Sequence, residues 1–194
     1  SLKPGEVTIE HTFVGLNFID TYHRSGLYPL PLPTKLGMEG AGIIVDKSSD
    51  VNEYEIGDRV AYVMALGSYS TKSNIEANKL VKIPKSISDQ QAAAVLLKGM
   101  TVEYLVERLF KVNNTHTVLF HAVAGGVGLL ACQWLKYLGA KIIGTAGTEE
   151  KAILAKQNGC DEVILYKSEN FVEKVKDLTN NVGVDVVYDG VGKD

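Results

Sequence analysis

The stretch that decides the fold is TVLFHAVAGGVGLLACQWLKYLG, residues 117–139. Its first six residues are mostly apolar, which is typical of a buried strand. A glycine-rich turn follows, and after it apolar residues recur at the spacing of one helix face: Val127, Leu130, Ala131, Trp134, Leu135 and Leu138. Gly139 stands where a glycine commonly ends a helix. A strand that turns directly into a helix predicts the start of a βαβ unit.

Strand-like and helix-like segments keep alternating after this stretch. Strands are predicted at residues 141–145, 162–166 and 184–188. The alternation favours a parallel sheet with right-handed crossover helices. Ser168 is expected to cap the third of these helices. The side chains that this helix is expected to bury are Phe171, Val172, Val175 and Leu178.

The N-terminal part of the chain has a different pattern. Short strands are predicted at residues 7–13, 40–45, 56–63 and 79–83. Residues 26–33 contain three prolines in five positions, which predicts an extended surface loop. We therefore interpret residues 1–88 as a strand-rich domain. Residues 89–194 are interpreted as the second domain, which begins with two helices. The spacing of Ser88 and Gln91 predicts a capping box before a helix over 92–97. Another helix is expected over 101–110.

The turn after the first strand of the second domain has the pattern AxxGxxG, from Ala122 to Gly128. In a strand–turn–helix unit, the free N–H groups and positive dipole end of the helix favour an anion such as a pyrophosphate. Gly125 and Gly126 would let the backbone approach the phosphates, and Gly128 would let the helix pack close to the strand. The pattern predicts a dinucleotide site at Gly125, Gly126, Val127 and Gly128. The alternative is a turn whose glycines serve only helix–strand packing.

The end of the next strand bears on which dinucleotide binds. An acidic residue about 20 residues after the loop would hydrogen-bond the adenosine ribose. No carboxylate stands near Ala146, and Lys151 follows one helical turn later. A missing acid beside a cation favours the 2′-phosphate of NADP(H) over NAD(H). In the alternatives, Glu149 is the displaced ribose acid, or Lys151 is only a solvated helix residue.

Composition and charge argue against several classes of function. The chain has 194 residues, with 20 Lys and Arg against 23 Asp and Glu, so its net charge is −3 and a nucleic-acid partner is not expected. No apolar run is long enough to cross a membrane, and the first residues lack the apolar region of a signal peptide. Cys132 and Cys160 stand apart from any Cys or His cluster, which predicts buried thiols in a reducing compartment.

Several stretches together resemble one enzyme family. HAVAGGVGLLACQWLK (121–136), NFIDTY (17–22) and RSGLYP (24–29) are similar to the NADPH:quinone oxidoreductases, which include zeta-crystallin and belong to the medium-chain dehydrogenase/reductases. The likeness covers almost the whole chain, and Val123 replaces a residue that is usually small. Further similar stretches are GMEGAG (37–42), GDRV (57–60) and KGMT (98–101).

This resemblance implies an α/β fold with two incomplete domains. Residues 1–88 would be a GroES-like catalytic domain, and residues 89–194 a Rossmann-type NADP-binding domain that lacks its C-terminal strands. Because the family is normally longer at both ends, we expect the chain to be a fragment with weak or no turnover on its own. The strand at 184–188 would then be an exposed apolar edge.

The resemblance also implies roles for individual residues. Asn17, Asp20 and Thr101 would line the nicotinamide end of the cofactor cleft, and the backbone at Gly126 and Val127 would contact the pyrophosphate. The residues expected to hold the 2′-phosphate are Gly147, Lys151 and Tyr166, and those expected to border the quinone are Tyr22 and Tyr28. The alternatives are a turn cap for Asp20, an exposed loop aromatic for Tyr28 and a strand-end packing residue for Tyr166.

Zinc-dependent relatives bind their metal through Cys and His side chains. Asn17 and Met38 occupy two of those positions here, so no metal is expected. The remaining chemistry suits zinc-independent hydride transfer from NADPH to a quinone, with no dedicated general acid. We assign no catalytic residue: His121 is expected to be structural, while Asp20 and Tyr22 are better placed for polar contacts with reacting groups.

Two alternatives to quinone reduction share these motifs. One is an NADPH-dependent enone or alkene reductase, and the other is a crystallin-like protein that binds nucleotide or RNA without turnover. The resemblance further implies a homodimer when the protein is full-length, and the sequence favours a cytoplasmic location.

Overall fold

The computed structural model describes residues 2–192, and the N-terminal alternation becomes strand β1, Glu6–Val14. Val7 and Ile9 are fully buried, as the period-2 pattern predicts. Phe13 follows the same pattern but is 46% exposed, because the regular pairing of β1 with the next strand shifts between His11 and Phe13. Burial along β1 is therefore confined to its first half.

Within residues 2–97, five strands form an antiparallel sheet in the order β4-β1-β2-β3-β5. Its core contains Ile9, Ile44, Val60 and Tyr62, all fully buried. The elements after β1 are α1 (Phe18–Ser25), β2 (Glu39–Lys47), β3 (Arg59–Val63), β4 (Lys72–Glu76), a 3-10 turn (Ala77–Lys79) and β5 (Leu80–Lys82). We call residues up to Leu97 the first unit.

Within residues 98–192, four strands form a parallel sheet in the order β8-β7-β6-β9. This is the beginning of the strand order 3-2-1-4 of a doubly wound nucleotide-binding sheet, so the predicted α/β class and partial Rossmann-type sheet are confirmed. The elements are β6 (Thr117–Phe120), α3 (Gly126–Tyr137), β7 (Lys141–Ala146), α4 (Glu149–Gln157), β8 (Glu162–Leu165), α5 (Phe171–Leu178) and β9 (Val186–Tyr188). We call residues from Lys98 onward the second unit.

Two glycines allow the turn after β6 to pack closely, against α3 at Gly128 and against β7 at Gly144. A Cβ on Gly128 would collide with the carbonyl groups of Val123 and Ala122. A Cβ on Gly144 in β7 would lie 2.5 Å from the side chain of Val123, which is fully buried. Val123, the residue that departs from the family pattern, therefore fills the space that Gly144 leaves open. The predicted packing role of Gly128 is confirmed.

The helices that introduce the second domain differ from the prediction. The Ser88–Gln91 capping box is present, with Gln91 N donating to Ser88 Oγ at 3.1 Å and Ser88 N donating to Gln91 Oε1 at 2.9 Å. One helix, α2 (Asp89–Glu103), then continues through Gly99 into a π-helical turn at Tyr104–Leu109, so the expected break is wrong. A helical glycine costs only about 1 kcal/mol. Burial of Val102 and Val106 in the core favours continuation.

The predicted cap of the third crossover helix is also wrong. Asn170 caps α5, because its side chain accepts from Val172 N at 3.0 Å and Glu173 N at 3.4 Å. Ser168 instead donates to the carbonyl of Leu165 in the preceding turn. Val172 is 48% exposed rather than buried, whereas Val175 is buried as predicted.

The first unit contains two elements that the sequence did not predict, α1 and β4. The expected strand over 56–63 is shorter, since Ile56 lies in a turn and is 62% exposed. The prolines of residues 26–33 do lie in a loop, as predicted. The chain passes from the first unit to the second at Leu97 and Lys98, inside α2, and the domain boundary after residue 88 stays a prediction.

His11 gives the first unit an expected pH dependence. Its Nδ1 lies 2.7 Å from the carbonyl of Ser70 and its Nε2 lies 2.8 Å from the hydroxyl of Tyr62. Burial lowers the pKa of His11, although the Ser70 hydrogen bond opposes this. As the pH falls below about 6.5, the unfolded chain therefore binds a proton before the folded chain does, and the folded state loses stability until the lowered pKa is passed.

We expect urea denaturation between about pH 7 and about pH 5 to show this decrease. The variant His11→Gln should flatten the curve in that window, because its side chain does not titrate. An equal slope in His11→Gln and in the unchanged protein would contradict the assignment to His11.

None of the helices within residues 2–192 has the length and apolar character needed to cross a membrane.

Candidate dinucleotide and acceptor site

The glycine loop lies where β6 ends and α3 begins. Gly125 precedes the helix with extended backbone, and Gly126 and Val127 form its first turn. Within the described part of the chain, the N–H groups of Gly126 and Val127 have no hydrogen-bond acceptor. Donors at a helix N-terminus bind anions well, since the helix dipole adds to their partial charges. The loop therefore fits a pyrophosphate.

A lysine that the sequence motif did not include lies against this loop. A Cβ on Gly126 would lie 2.9 Å from Cε and 3.0 Å from Cδ of Lys98, which is at the start of the second unit. The close approach of the Lys98 stem brings a positive charge near the anion-binding loop. The sequence did point to this segment, because residues 98–101 are similar to the quinone oxidoreductases, but that similarity assigned no role to Lys98.

The ends of β7 and β8 bring together two of the residues predicted to hold the 2′-phosphate. A Cβ on Gly147 would lie 2.9 Å from the hydroxyl oxygen of Tyr166 and 3.4 Å from Cε of Lys167. Tyr166 is 51% exposed, which leaves its hydroxyl available to a ligand. Lys151 is in the first turn of α4, where its N–H donates to the capping oxygen of Thr148 at 3.4 Å.

Lys167 is a further cation at this edge that sequence reasoning missed. Among residues 2–192, neither the Lys151 nor the Lys167 ammonium pairs with a carboxylate. Ala146, at the end of β7, is buried, and the first acids after it are Glu149 and Glu150 on α4. A small residue, an exposed tyrosine hydroxyl and two unpaired cations suit a phosphate monoester. The contact between Tyr166 and Gly147 could not be seen in the sequence, since it depends on the pairing of β7 with β8.

The first unit positions Asn17 and Asp20 on helix α1. Asn17 is the N-cap residue, and its N–H donates to Oδ2 of Asp20 at 2.9 Å. The same oxygen accepts from the Tyr69 hydroxyl at 2.7 Å, and Asp20 is only 3% exposed. The capping alternative for Asp20 is thus correct as a description of its local contact. It does not exclude a ligand role, because the other carboxylate oxygen, Oδ1, has no partner within the described residues.

Tyr22 and Tyr28 form an aromatic pair in the same unit. Their ring centroids are 5.3 Å apart, and the N–H of Tyr28 donates to the carbonyl of Tyr22 at 3.2 Å. Phe18, which is 79% exposed, extends this pair, with its ring centroid 6.5 Å from that of Tyr22. The three rings share exposed apolar area that suits a planar aromatic molecule. Thr101 lies in the second unit on α2.

His121 has the contacts of a packed side chain. Its Nδ1 lies 3.0 Å from the hydroxyl of Thr145, and its ring packs edge-on against Phe171 with centroids 5.1 Å apart. These contacts support the structural role expected for His121. Cys132 and Cys160 are free thiols and both are buried, as predicted. Within residues 2–192, no group of three or more His, Cys, Asp or Glu side chains has an arrangement that could hold a metal ion.

Comparison with known families decides where the chain belongs. The model of the alcohol dehydrogenase GroES-like domain matches residues 3–106, and that of the zinc-binding dehydrogenases matches residues 126–194. The chain belongs to the family of alcohol dehydrogenase GroES-like domains. This membership agrees with the predicted GroES-like and Rossmann-type portions.

Individual relatives of this family extend the match. The quinone oxidoreductase of Pseudomonas aeruginosa is 51% identical over 193 residues, which are 98% of this chain and 59% of the relative. The crystal structure of Escherichia coli quinone oxidoreductase in complex with NADPH superposes with a TM-score of 0.96 at 51% identity, over 98% of this chain and 59% of that one. A 2-haloacrylate reductase from Burkholderia is 42% identical over 98% of this chain and 60% of the relative.

These matches confirm the predicted resemblance to quinone oxidoreductases of the medium-chain dehydrogenase/reductase superfamily. The chain spans about three fifths of the length of the relatives that it matches.

Proposed function

We propose that the protein reduces quinones by zinc-independent hydride transfer from NADPH. The observation that supports this most is the arrangement of one edge of the parallel sheet. The glycine loop after β6, Gly147 after β7 and Tyr166 after β8 follow the carboxyl ends of three adjacent strands. Ligands of doubly wound sheets bind at this edge.

The residues of this edge fit a 2′-phosphorylated dinucleotide. The N–H groups of Gly126 and Val127, in the loop from Gly125 to Gly128, would hold the pyrophosphate. Lys151 and the Tyr166 hydroxyl would hold the 2′-phosphate beside Gly147, with Lys167 as an additional cation. In the alternative, Glu149 contacts the ribose of NAD(H). The unpaired lysines favour the phosphate, because a charge-assisted hydrogen bond contributes about 1.5–3 kcal/mol.

The nicotinamide and acceptor ends are assigned from the family resemblance. Asn17 and Asp20 on α1, and Thr101 on α2, would contact the nicotinamide nucleoside. The faces of Tyr22 and Tyr28 would stack on the quinone and exclude water from one side of it. When bound, NADPH supplies the hydride; the two-electron reduction of a quinone to a hydroquinone also consumes one proton, which solvent can provide because the oxyanion is delocalised. This chemistry requires no metal ligand, in agreement with Asn17 and Met38 at the former ligand positions.

Other features of the proposal concern the whole protein. The free buried thiols support a reducing, cytoplasmic location. The family resemblance supports a homodimer and a quinone substrate, and the net charge of −3 speaks against a nucleic-acid partner. Weak or absent turnover by residues 1–194 alone also stays a prediction.

A panel of acceptors tests the proposed activity. Oxidation of NADPH by the purified protein is measured with 1,4-benzoquinone, a naphthoquinone, cyclohexenone and 2-chloroacrylate. We expect kcat/KM for the quinones to exceed that for the two alkene substrates by at least about tenfold, which is about 1.4 kcal/mol of transition-state discrimination.

Two outcomes would contradict quinone reduction. Faster reduction of cyclohexenone or 2-chloroacrylate would instead identify an alkene reductase. Because weak or no turnover is expected of residues 1–194 alone, NADPH binding without turnover does not by itself contradict quinone reduction. Retention of RNA on filters at physiological salt would favour the crystallin-like role instead.

A further inference from the structure

The carboxylate of Asp20 is held from two separate parts of the first unit. Its Oδ2 accepts from the backbone of Asn17 at 2.9 Å and from the hydroxyl of Tyr69 at 2.7 Å. Tyr69 lies 49 residues further along the chain, so its contact is not part of helix capping. Gly37 makes room for it, because a Cβ there would lie 2.6 Å from Cδ1 of the Tyr69 ring.

The second oxygen of this carboxylate is left without a donor. Asp20 is 3% exposed, and its Oδ1 is buried with no hydrogen-bond partner within the described residues. A buried polar atom without a partner costs about 1–3 kcal/mol, and more when the group is charged. A ligand that donates a hydrogen bond to Oδ1 would remove this cost, and Asp20 is already a predicted binding residue.

Asn17, the other predicted ligand residue of α1, is fixed by a buried carboxylate. Its Nδ2 donates to Oε2 of Glu39 at 2.8 Å, while Oε1 of Glu39 accepts from Leu97 N at 2.7 Å. Glu39 is fully buried, and a Cβ on Gly15 would collide with its Oε2. Side chains from distant segments therefore hold both ligand residues of α1 before any ligand arrives.

We propose that Tyr69 is a positioning residue, which holds Asp20 so that its Oδ1 can accept a hydrogen bond from an N–H or O–H group of the nicotinamide nucleoside of NADPH. The inference rests on the proposed function and adds a residue that the family resemblance did not assign. With Oδ2 occupied by Asn17 and Tyr69, the carboxylate cannot turn freely, and Oδ1 is the oxygen left for the ligand. Preorganisation of this kind raises affinity, because less freedom is lost when the ligand binds.

The Tyr69 hydroxyl is suited to act as a permanent donor. Burial, together with the hydrogen bond to Asp20 and the charges of Asp20 and Glu39, raises the pKa of Tyr69. The hydroxyl therefore keeps its proton at any pH at which the protein would work. Phenylalanine at this position would keep the ring that packs against Gly37 and remove only the donor.

Binding measurements on the purified protein test this role by separating the two ends of the cofactor. In Tyr69→Phe we expect the Kd of NADPH to rise about tenfold, since a hydrogen bond to a charged group is lost. The Kd of 2′,5′-ADP, which contains the adenosine end but no nicotinamide, should stay unchanged. Asp20→Asn should show the same pattern, and the double variant should be no weaker than Asp20→Asn alone, because both changes act through one carboxylate.

Tyr54→Phe is a matched control. The Tyr54 hydroxyl donates to the carbonyl of Leu80 at 2.6 Å in the same unit, far along the chain from α1. Its removal deletes a buried hydrogen bond and lowers stability without altering Asp20, so the Kd of NADPH should not change. A general loss of stability is thereby distinguished from a loss of positioning.

Every outcome decides the role of Tyr69. A rise in Kd for NADPH alone supports the positioning role. An equal rise in Kd for NADPH and 2′,5′-ADP, or an unchanged Kd for both, overturns it. Failure of the unmodified protein to bind NADPH would refute the proposed function itself. The acetylpyridine analogue of NADPH, which lacks the carboxamide N–H, identifies the donor. If the Kd of this analogue does not change in Tyr69→Phe, the donor is the carboxamide. If its Kd rises as much as that of NADPH, the donor is a ribose hydroxyl.

Discussion

The variant Gly128→Ala is expected to lose stability and nucleotide affinity together. The added Cβ would collide with the carbonyl groups of Val123 and Ala122, which are backbone atoms of the loop itself. Because backbone atoms cannot rotate away as a side chain could, the loop itself would have to move. Overpacking of this kind costs about 1–3 kcal/mol. Movement of the loop would also displace the Gly126 and Val127 N–H groups that are proposed to hold the pyrophosphate.

Denaturation in urea and titration with NADPH measure the two effects. We expect a decrease of about 1–3 kcal/mol in the free energy of unfolding and a rise in the Kd of at least about tenfold. Gly190→Ala is the matched control for stability, because a Cβ there would have nothing within 4 Å. If Gly128→Ala were as stable as Gly190→Ala, the close approach of α3 to the loop would be disproved.

The parts of the fold that were predicted correctly depend on local pattern. The stretch at residues 117–139 contains a strand, a turn and an amphipathic helix in direct succession, and the structure reproduces them as β6, the glycine loop and α3. Gly139 has a positive φ of 79° immediately after this helix, as a terminating glycine should. Signals of this type require only neighbouring residues, so the sequence is sufficient.

The errors arose where tertiary contacts outweigh local preference. Two helices were expected, over 92–97 and 101–110, but burial of Val102 and Val106 stabilises a continuous one. Helix α1 is short and polar, with Asp20 as its buried residue, so it offered no apolar stripe from which to predict it. Strand β4 has the alternation expected of a strand, yet it was missed because only Ser73 and Ile75 are buried on its inner face.

The candidate site shows the same division. The loop glycines and Lys151 could be proposed from their spacing along one strand–helix unit, without knowledge of tertiary contacts. Tyr69 and Lys167 could not be proposed in this way. Tyr69 contacts Asp20, which is 49 residues away in the chain. Lys167 lies near Gly147, which follows the neighbouring strand. Sequence spacing alone does not predict such contacts.

Lys151→Ala is expected to remove most of the preference for NADPH over NADH. The Lys151 ammonium has no carboxylate partner within residues 2–192, so its loss leaves no buried acid unpaired and should cost little stability. A charge-assisted hydrogen bond to the 2′-phosphate is worth about 1.5–3 kcal/mol, and the Kd of NADPH should therefore rise about 10- to 100-fold. NADH lacks the phosphate, and its Kd should not change.

Comparison with a second lysine of the same helix makes this result specific. Lys156 is in the last turn of α4, at the end opposite Thr148 and Gly147, and Lys156→Ala should leave the Kd of both cofactors unchanged. Both variants remove one positive charge, so a long-range electrostatic effect would weaken NADPH binding in each of them, and more strongly at low salt. Equal affinity of the unmodified protein for NADPH and NADH would contradict the cofactor assignment and favour Glu149 as the ribose acid. A selective loss in Lys151→Ala would instead place the phosphate at the first turn of α4, since only a contact within that turn distinguishes two lysines on one helix.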